Sequence, residues 1–278
     1  MPEIDHTIAP LLDYLLEKRG FDFSGFHRDM LARRIGKRLT ATACNDFCEY
    51  LVYLHQYADE LDHLIDVITI NVSRFFRDSL TFELIAARIL PAVVREKAET
   101  RNPALRVWSG GCARGEEPYS MAILIHELLE KEGHKMDLHL FATDIDVRAL
   151  KDAEEALYPL PQVENMKHRL LMKYFTPTGA SFRLISEIRE MVTFSSYDML
   201  DKKHSVPQDS IFGNFDLVLC RNLLIYFNTD SQEIIFAKLC RALSRNGYLI
   251  LGEAESPPMT MRHHFTRVFD FSPIYRKR

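Results

Sequence analysis

The chain has 278 residues, of which 47% are hydrophobic, 27% charged and 11% aromatic, with a formal net charge of -4. These values sit at the globular average and exclude a disordered chain, a collagen-like repeat and a disulfide scaffold. A mildly acidic total argues against wholesale nucleic-acid binding but leaves room for a local basic patch.

The opening stretch, MPEIDHTIAPLLDYLLEKRG, carries acids ahead of its apolar residues and has no basic leader or small-residue cleavage site. It reads as an amphipathic helix, and secretion is not expected. No apolar run approaches the roughly 20 residues needed to cross a bilayer. Cys44, Cys48, Cys112, Cys220 and Cys240 are odd in number and lack metal-ligand spacing. They predict buried or incidental thiols in a cytoplasmic protein, and no metal site.

Residues 1–80 show helical periodicity. Ile8, Leu11, Leu12, Leu15 and Leu16 form one stripe, and Leu61, Leu64, Ile65 and Ile68 another. Between them, Arg28, Arg33, Arg34, Lys37 and Arg38 face a single acid, Asp29, with Leu31, Ile35 and Leu39 four apart on the opposite side. A charge run of this kind is usually a solvated face.

From Leu105 the texture changes to short β-rich runs: Leu105–Trp108, Leu138–Ala142, Val192–Phe194, Phe215–Cys220 and Tyr248–Leu251. Helical stretches at Pro118–Lys131, Val147–Leu157 and Ser231–Leu243 separate several of them. That alternation predicts a parallel sheet covered on both faces. Arg267–Phe271 and Ile274–Arg276 read as two closing strands around Ser272-Pro273. The segment Thr176-Pro-Thr-Gly-Ala180, between two apolar runs, suggests a small hairpin beside the main sheet.

The first strand runs into Ser109-Gly-Gly-Cys-Ala-Arg-Gly-Glu-Glu-Pro118, a strand, a glycine turn and a helix opening with proline. Cys112 stands where a dinucleotide fingerprint needs its middle glycine. Glu116 and Glu117 would repel a pyrophosphate but suit a cationic ligand. The next strand ends at Asp144-Ile-Asp146, and an acid at that tip can accept ribose hydroxyls. A nucleoside with a positive, non-phosphate portion fits, and S-adenosylmethionine is such a molecule. The plainer reading is that Glu116 and Glu117 favour a helix N-terminus while Asp144 caps the following helix.

Four segments together resemble the CheR-type chemotaxis receptor methyltransferases, which are protein-glutamate O-methyltransferases. They are Asn71-Val-Ser-Arg-Phe-Phe-Arg-Asp78, Gly115-Glu-Glu-Pro-Tyr-Ser120, Asp144-Ile-Asp146 and Cys220-Arg-Asn-Leu-Leu-Ile-Tyr-Phe227. The resemblance runs from about residue 8 to 276 and implies an α/β fold. In that fold a Rossmann-like S-adenosylmethionine-dependent methyltransferase sheet follows an N-terminal all-α domain and carries a small inserted antiparallel β-subdomain. The expected division is a helical receptor-docking domain and linker over 1–80 and a methyltransferase domain over 81–278. The β-subdomain is expected at about 168–191.

Carried over by resemblance, Asn71, Ser73 and Arg77 contact the cofactor, with Arg77 pairing its carboxylate. One of Glu116 and Glu117 faces it, Asp144 holds its ribose, Asp198 and Met199 line its adenine, and Arg221 and Asn222 lie beside it. Arg77 and Tyr226 are the expected catalytic residues. Without the resemblance, Tyr226 reads as a packed aromatic after a strand. The reaction implied is methyl transfer from S-adenosylmethionine to a glutamate carboxylate of a chemoreceptor, leaving S-adenosylhomocysteine. A carboxylate is already ionised at neutral pH, so no general base is needed.

Arg33, Arg34, Lys37 and Arg38 would then dock the glutamate-rich helical region of the receptor, and the protein would meet the membrane only through it. The short hairpin connection predicts no dependence on a C-terminal receptor peptide. Two departures from the family pattern stand out: Arg114 in the glycine loop, and Asp198 where asparagine is usual. Methylation of another acceptor, a non-enzymatic methyl-donor sensor and an NAD oxidoreductase are the rival readings.

Overall fold

A computed structural model describes residues 3–69, 71–100, 103–133, 135–210 and 213–278. Met1 and Pro2 of the opening stretch lie outside the described residues. The chain divides into two units, one of Met1–Asn71 with Ile225–Gln232, the other of Val72–Leu224 with Glu233–Arg278.

The first unit contains α1 (Glu3–Arg19), α2 (Arg28–Thr42), α3 (Phe47–Gln56) and α4 (Glu60–Thr69). Its core is the expected periodic set: Ile8, Leu11, Leu15, Leu31, Ile35, Leu64 and Ile68 are all buried. Each such side chain contributes about 1.5–3 kcal/mol of apolar burial. Leu16 breaks from its stripe and is 46% exposed. Local chemistry sets the helix ends. Ala43, in the left-handed region at φ 58°, ends α2, and its N–H returns to the Leu39 and Thr40 carbonyls. Asp46 caps α3 by accepting from the Glu49 N–H at 2.8 Å.

Residues 225–232 fold with these helices. Phe227 bridges Phe26, their rings 4.5 Å apart. The His27 N–H donates to the Tyr226 carbonyl, and the Asn228 N–H to the Gly25 carbonyl, each at 2.9 Å.

The second unit begins with α5 (Ser79–Leu84), which passes through one π-helical turn, Ile85–Ile89, into α6 (Leu90–Ala98). There follow β1 (Ala104–Gly110), α7 (Glu116–Glu132), β2 (Asp137–Asp144), α8 (Val147–Glu155), β3 (Leu157–Pro159), α9 (Leu160–Val163) and α10 (His168–Tyr174). Next come β4 (Phe175–Thr178), β5 (Ser181–Leu184), α11 (Ser186–Arg189), β6 (Val192–Ser196), β7 (Phe215–Cys220) and α12 (Thr229–Ala242), whose first four residues count with the first unit. The unit closes with β8 (Leu243–Leu251), β9 (Phe265–Arg267) and β10 (Ile274–Lys277).

The main sheet has the order β6-β2-β1-β7-β8-β10-β9. The first five strands pair in parallel, and β10 lies antiparallel between β8 and β9. Every residue of β7 is buried, as a central parallel strand covered on both faces requires. The winding reverses between β1 and β7, so the carboxyl ends of the strands frame a crevice there. An all-parallel dinucleotide-binding sheet has no strand like β10.

The closing hairpin is shifted from the expected strands. β9 stops at Arg267; the Val268 N–H still donates to the Ile274 carbonyl, and the chain turns beyond it, where the Ser272 N–H donates to the Phe269 carbonyl. A second, antiparallel sheet of order β3-β5-β4 is the inserted β-subdomain; it reaches back to Leu157, where a helix end was expected. Among the described residues no helix is long and apolar enough to cross a membrane.

Candidate functional site

The register of the sheet places Gly110 opposite Thr143, Asp144 opposite Ser196 and Cys220 opposite Leu251, so the expected site segments leave the sheet at one edge. The glycine loop is pinned there by backbone bonds. The N–H groups of Gly111 and Cys112 both donate to the Thr143 carbonyl, at 2.8 and 3.0 Å. Gly111 has φ +74°, and a Cβ on it would stand 2.8 Å from Leu223 Cδ2. Gly115 has φ +90°, with a Cβ position 3.0 Å from the Ala153 Cβ, so α8 packs directly on the loop.

Asp144 fastens the same loop. Its Oδ2 accepts from the Ala113 N–H at 2.8 Å and its Oδ1 from the Asp146 N–H at 3.0 Å. The helix cap is Asp146, which accepts from the N–H groups of Arg148 and Ala149. Burial pushes the Asp144 carboxyl up, against the two backbone donors.

The two adjacent glutamates part company. Glu117 receives the Ser109 hydroxyl at 2.8 Å and Arg221 Nη1 at 3.1 Å, and its side chain is 11% exposed. Glu116 is fully buried, and among the described residues neither carboxylate oxygen has a hydrogen-bond partner. Burial lifts its carboxyl to about 7. Residues one apart on a helix point 100° apart, so one glutamate turns toward Arg221 and the other into the interior. Arg114, the unusual loop residue, reaches outward to Asp152 at 3.3 Å; both are about half exposed, and such a pair contributes little.

Arg221 is a buried clamp. Its Nη2 donates to the Arg77 carbonyl at 2.8 Å and to Asp78 Oδ2 at 2.7 Å, while its Nη1 holds Glu117. The guanidinium also lies 5.1 Å from the Phe82 ring. It thereby joins the start of the unit, the head of α7 and the end of β7. The Arg77 side chain is half-buried, with Nη1 3.5 Å from the Val72 carbonyl, and Ser73 is half-buried.

Asn222 adopts the left-handed region at φ 58°. A residue that sequence reasoning missed, Glu255, holds it there. One oxygen of this buried carboxylate accepts the N–H groups of Asn222 at 2.9 Å and Gly252 at 2.7 Å. The other accepts that of Leu224 at 2.8 Å. The signal was thin: one of two acids in Gly252-Glu-Ala-Glu-Ser256, with two of its three donors more than 30 positions away.

After β6, Asp198 Oδ1 accepts from the Leu200 N–H at 2.8 Å. Met199 is buried, and its sulfur lies 3.4 Å from the Cβ position of Gly110, so it roofs the glycine loop.

In the helical unit, Asn71 Nδ2 donates to Thr69 Oγ1 at 3.4 Å. Tyr226 lies under the Arg34 guanidinium, 4.6 Å from its ring centroid. That contact corrects the expected basic face. Arg34 is 5% exposed and donates to the Ile68 carbonyl. Burial pulls its guanidinium below the ordinary range, against the Tyr226 hydroxyl. Arg38 forms a two-pronged pair with Glu60, both bonds at 2.7 Å, and the Tyr50 hydroxyl joins at 2.6 Å. Burial raises the Glu60 carboxyl, but these partners outweigh it and hold it below the usual range. Only Arg33 and Lys37 of the four expected docking residues are exposed.

A glycine turn leading into a helix headed by Glu116 and Glu117, with Asp144 at the tip of the next strand, presents carboxylates where phosphate would need bare amides. It fits a ribose and a cation. Fold and loop define an S-adenosylmethionine-dependent methyltransferase. The chain belongs to the CheR methyltransferase family. Residues 71–271 match the family's SAM-binding domain and residues 6–69 its all-alpha domain. It is similar to the chemotaxis protein methyltransferase of Salmonella typhimurium, 32% identical over 91% of this chain and 84% of that one. The chemotaxis protein methyltransferase 2 of Vibrio cholerae is also 32% identical, over 91% and 86%. That of Borreliella burgdorferi is 28% identical over 90% and 87%.

Proposed function

We propose that this methyltransferase esterifies glutamate side chains in the cytoplasmic helical region of chemoreceptors. The observation that carries the reading is the family match across both units, together with an acid-lined crevice built for a cationic nucleoside. When bound, S-adenosylmethionine supplies an electrophilic methyl group on a sulfonium. Glu117 faces its positive portion, Asp144 its ribose, and Asp198 and Met199 its adenine. Arg77, whose Nη1 lies 3.5 Å from the Val72 carbonyl, takes the cofactor carboxylate. Ser73 and Asn222 complete the polar lining. Arg221 acts by holding Glu117 and the Arg77 backbone in register.

The acceptor carboxylate arrives ionised, so no group has to remove a proton; alignment of nucleophile, methyl carbon and sulfur is the enzyme's contribution, worth roughly 7–11 kcal/mol at best. Tyr226 directs its hydroxyl at the incoming carboxylate, and its ring is held by Arg34. Arg33 and Lys37 steer the acidic receptor helix, raising the association rate more than the affinity. The β4–β5 connection is only Gly179-Ala180, which favours an enzyme independent of a receptor-tail tether.

The test is mass spectrometry of receptor cytoplasmic fragments after incubation with enzyme and labelled methyl donor. Base-labile methyl esters on glutamates are expected, with slower labelling by Tyr226→Phe. Label on another residue type, or on no receptor, would overturn the assignment.

A further inference from the structure

The loop after β6 is knotted by its own polar groups. The Tyr197 N–H donates to the Asp144 carbonyl at 3.0 Å, so the loop starts against the tip of β2. The Tyr197 hydroxyl donates to the His204 carbonyl at 2.8 Å, and the Asp201 N–H to the Asp198 carbonyl at 2.9 Å. Asp201 Oδ1 accepts from the Lys203 N–H at 2.7 Å, and its Oδ2 meets His204 Nδ1 at 2.7 Å. The segment that carries Asp198 and Met199 is therefore a compact unit that must be fixed to the rest of the fold at its base.

Lys238, on α12, reaches that base. It is 3% exposed, and its ammonium donates to the Asp201 carbonyl and, at 3.3 Å, to the Tyr197 hydroxyl. The same ammonium lies 5.2 Å from the Tyr197 ring centroid. Neither hydrogen-bonded partner is charged. A methionine of similar length would be easier to bury, because a buried ammonium loses most of its hydration. Burial pulls this amine below the ordinary lysine range, while the nearby Asp201 and Asp198 oppose the fall. What the charge adds is direction: three donors on one atom can hold a carbonyl and a hydroxyl from different parts of the loop together.

We infer that Lys238 is a positioning residue for the cofactor, fixing the Tyr197–Asp201 turn so that Met199 closes over Gly110 as the wall against the adenine. This rests on the proposed role of Asp198 and Met199. Lys238 touches neither cofactor nor substrate in this scheme. It acts through two links, Asp201 to Asp198 and Tyr197 to the end of β2.

The experiment compares the full-length protein with Lys238→Met, Lys238→Arg and Met199→Ala. It measures calorimetric affinity for S-adenosylmethionine, steady-state methylation of receptor fragments and intrinsic fluorescence. The chain has a single tryptophan. Trp108 meets the Tyr197 ring edge-on, with centroids 5.8 Å apart, so its emission reports the placement of the loop. For Lys238→Met the expected result is a Kd and KM for the cofactor raised about tenfold, kcat changed less than about twofold, and a shifted Trp108 emission. Lys238→Arg, which keeps the donors, should recover most of the affinity.

If Lys238→Met binds the cofactor normally while Met199→Ala weakens it, the positioning role is wrong and the adenine wall stands. If Met199→Ala also binds normally, the reading of the loop fails with it. Should Lys238→Met not fold, Tyr197→Phe removes one of the two acceptors and the His204 tie. A KM for the cofactor raised about threefold is expected there, and an unchanged KM would refute the inference.

Discussion

Replacing Glu116 by glutamine should flatten the pH dependence of stability in the sheet-bearing unit. The carboxyl is fully buried with both oxygens unpartnered. Burial is the main cause of its rise from an ordinary 4.5 to about 7; its own backbone N–H and then Arg114 oppose the rise, while Asp152 and Glu117 add to it. As pH increases, the unfolded chain releases this proton near 4.5, whereas the folded chain keeps it until about 7. Between those values the folded state binds more protons, so stability is greatest below the window, falls through it and levels off above. At about 1.4 kcal/mol per tenfold change in proton affinity, the loss is on the order of 3 kcal/mol.

Glutamine keeps the shape and cannot ionise. Urea unfolding followed by Trp108 emission, at about pH 5 and about pH 8, separates the two proteins. The wild type should lose on the order of 3 kcal/mol more than Glu116→Gln across that interval. Parallel curves for the two proteins would show that Glu116 finds a partner or solvent, and would refute the reasoning.

Gly252→Ala should be destabilising by roughly 1–3 kcal/mol and should impair cofactor binding. Its methyl group would stand 2.7 Å from Glu255 Oε2 and 2.8 Å from both Asn222 nitrogens; an unchanged melting temperature and KM would count against the clamp. Arg38→Met leaves Glu60 buried beside Tyr50 and should cost about 2–4 kcal/mol, measured by urea unfolding. Adding Glu60→Gln should restore much of that loss, and a double variant no better than the single would deny the coupling. Arg33→Glu with Lys37→Glu should slow receptor methylation and reduce its salt sensitivity while leaving calorimetric affinity for the cofactor intact. Equal rates in low salt would remove these residues from docking.

The strands that build the site were legible because parallel strands covered on both faces need continuous apolar runs. Phe215–Cys220, wholly buried, is the clearest case. β3 was not legible: three residues ending in proline become a strand only because Phe182 and its neighbours on β5 pair with them. A helical wheel separated Arg33, Arg34, Lys37 and Arg38 from the apolar stripe of α2. It could not show that Glu60, 22 positions on, and the Ile68 carbonyl, 34 on, would draw Arg38 and Arg34 inward. The same limit hid Lys238 and two of the three donors to Glu255, which lie 31–41 residues from their partners in sequence. Adjacent Glu116 and Glu117 were indistinguishable until the structure showed one fully buried and the other bonded to Arg221.

Residues 225–232 belong to the helical unit, and this shapes how the protein can be made. During synthesis α1–α4 emerge first, yet the edge that Phe26, His27 and Gly25 offer stays bare until Tyr226, Phe227 and Asn228 leave the ribosome. From residue 71 to residue 232 the ribosome must add 161 residues, which takes on the order of 10 s at usual elongation rates. Throughout that interval Arg34 lacks the Tyr226 ring that later covers it. A fragment cut after Asn71 would remain in that unfinished condition, so genetic excision of the helical unit needs the later segment supplied as well.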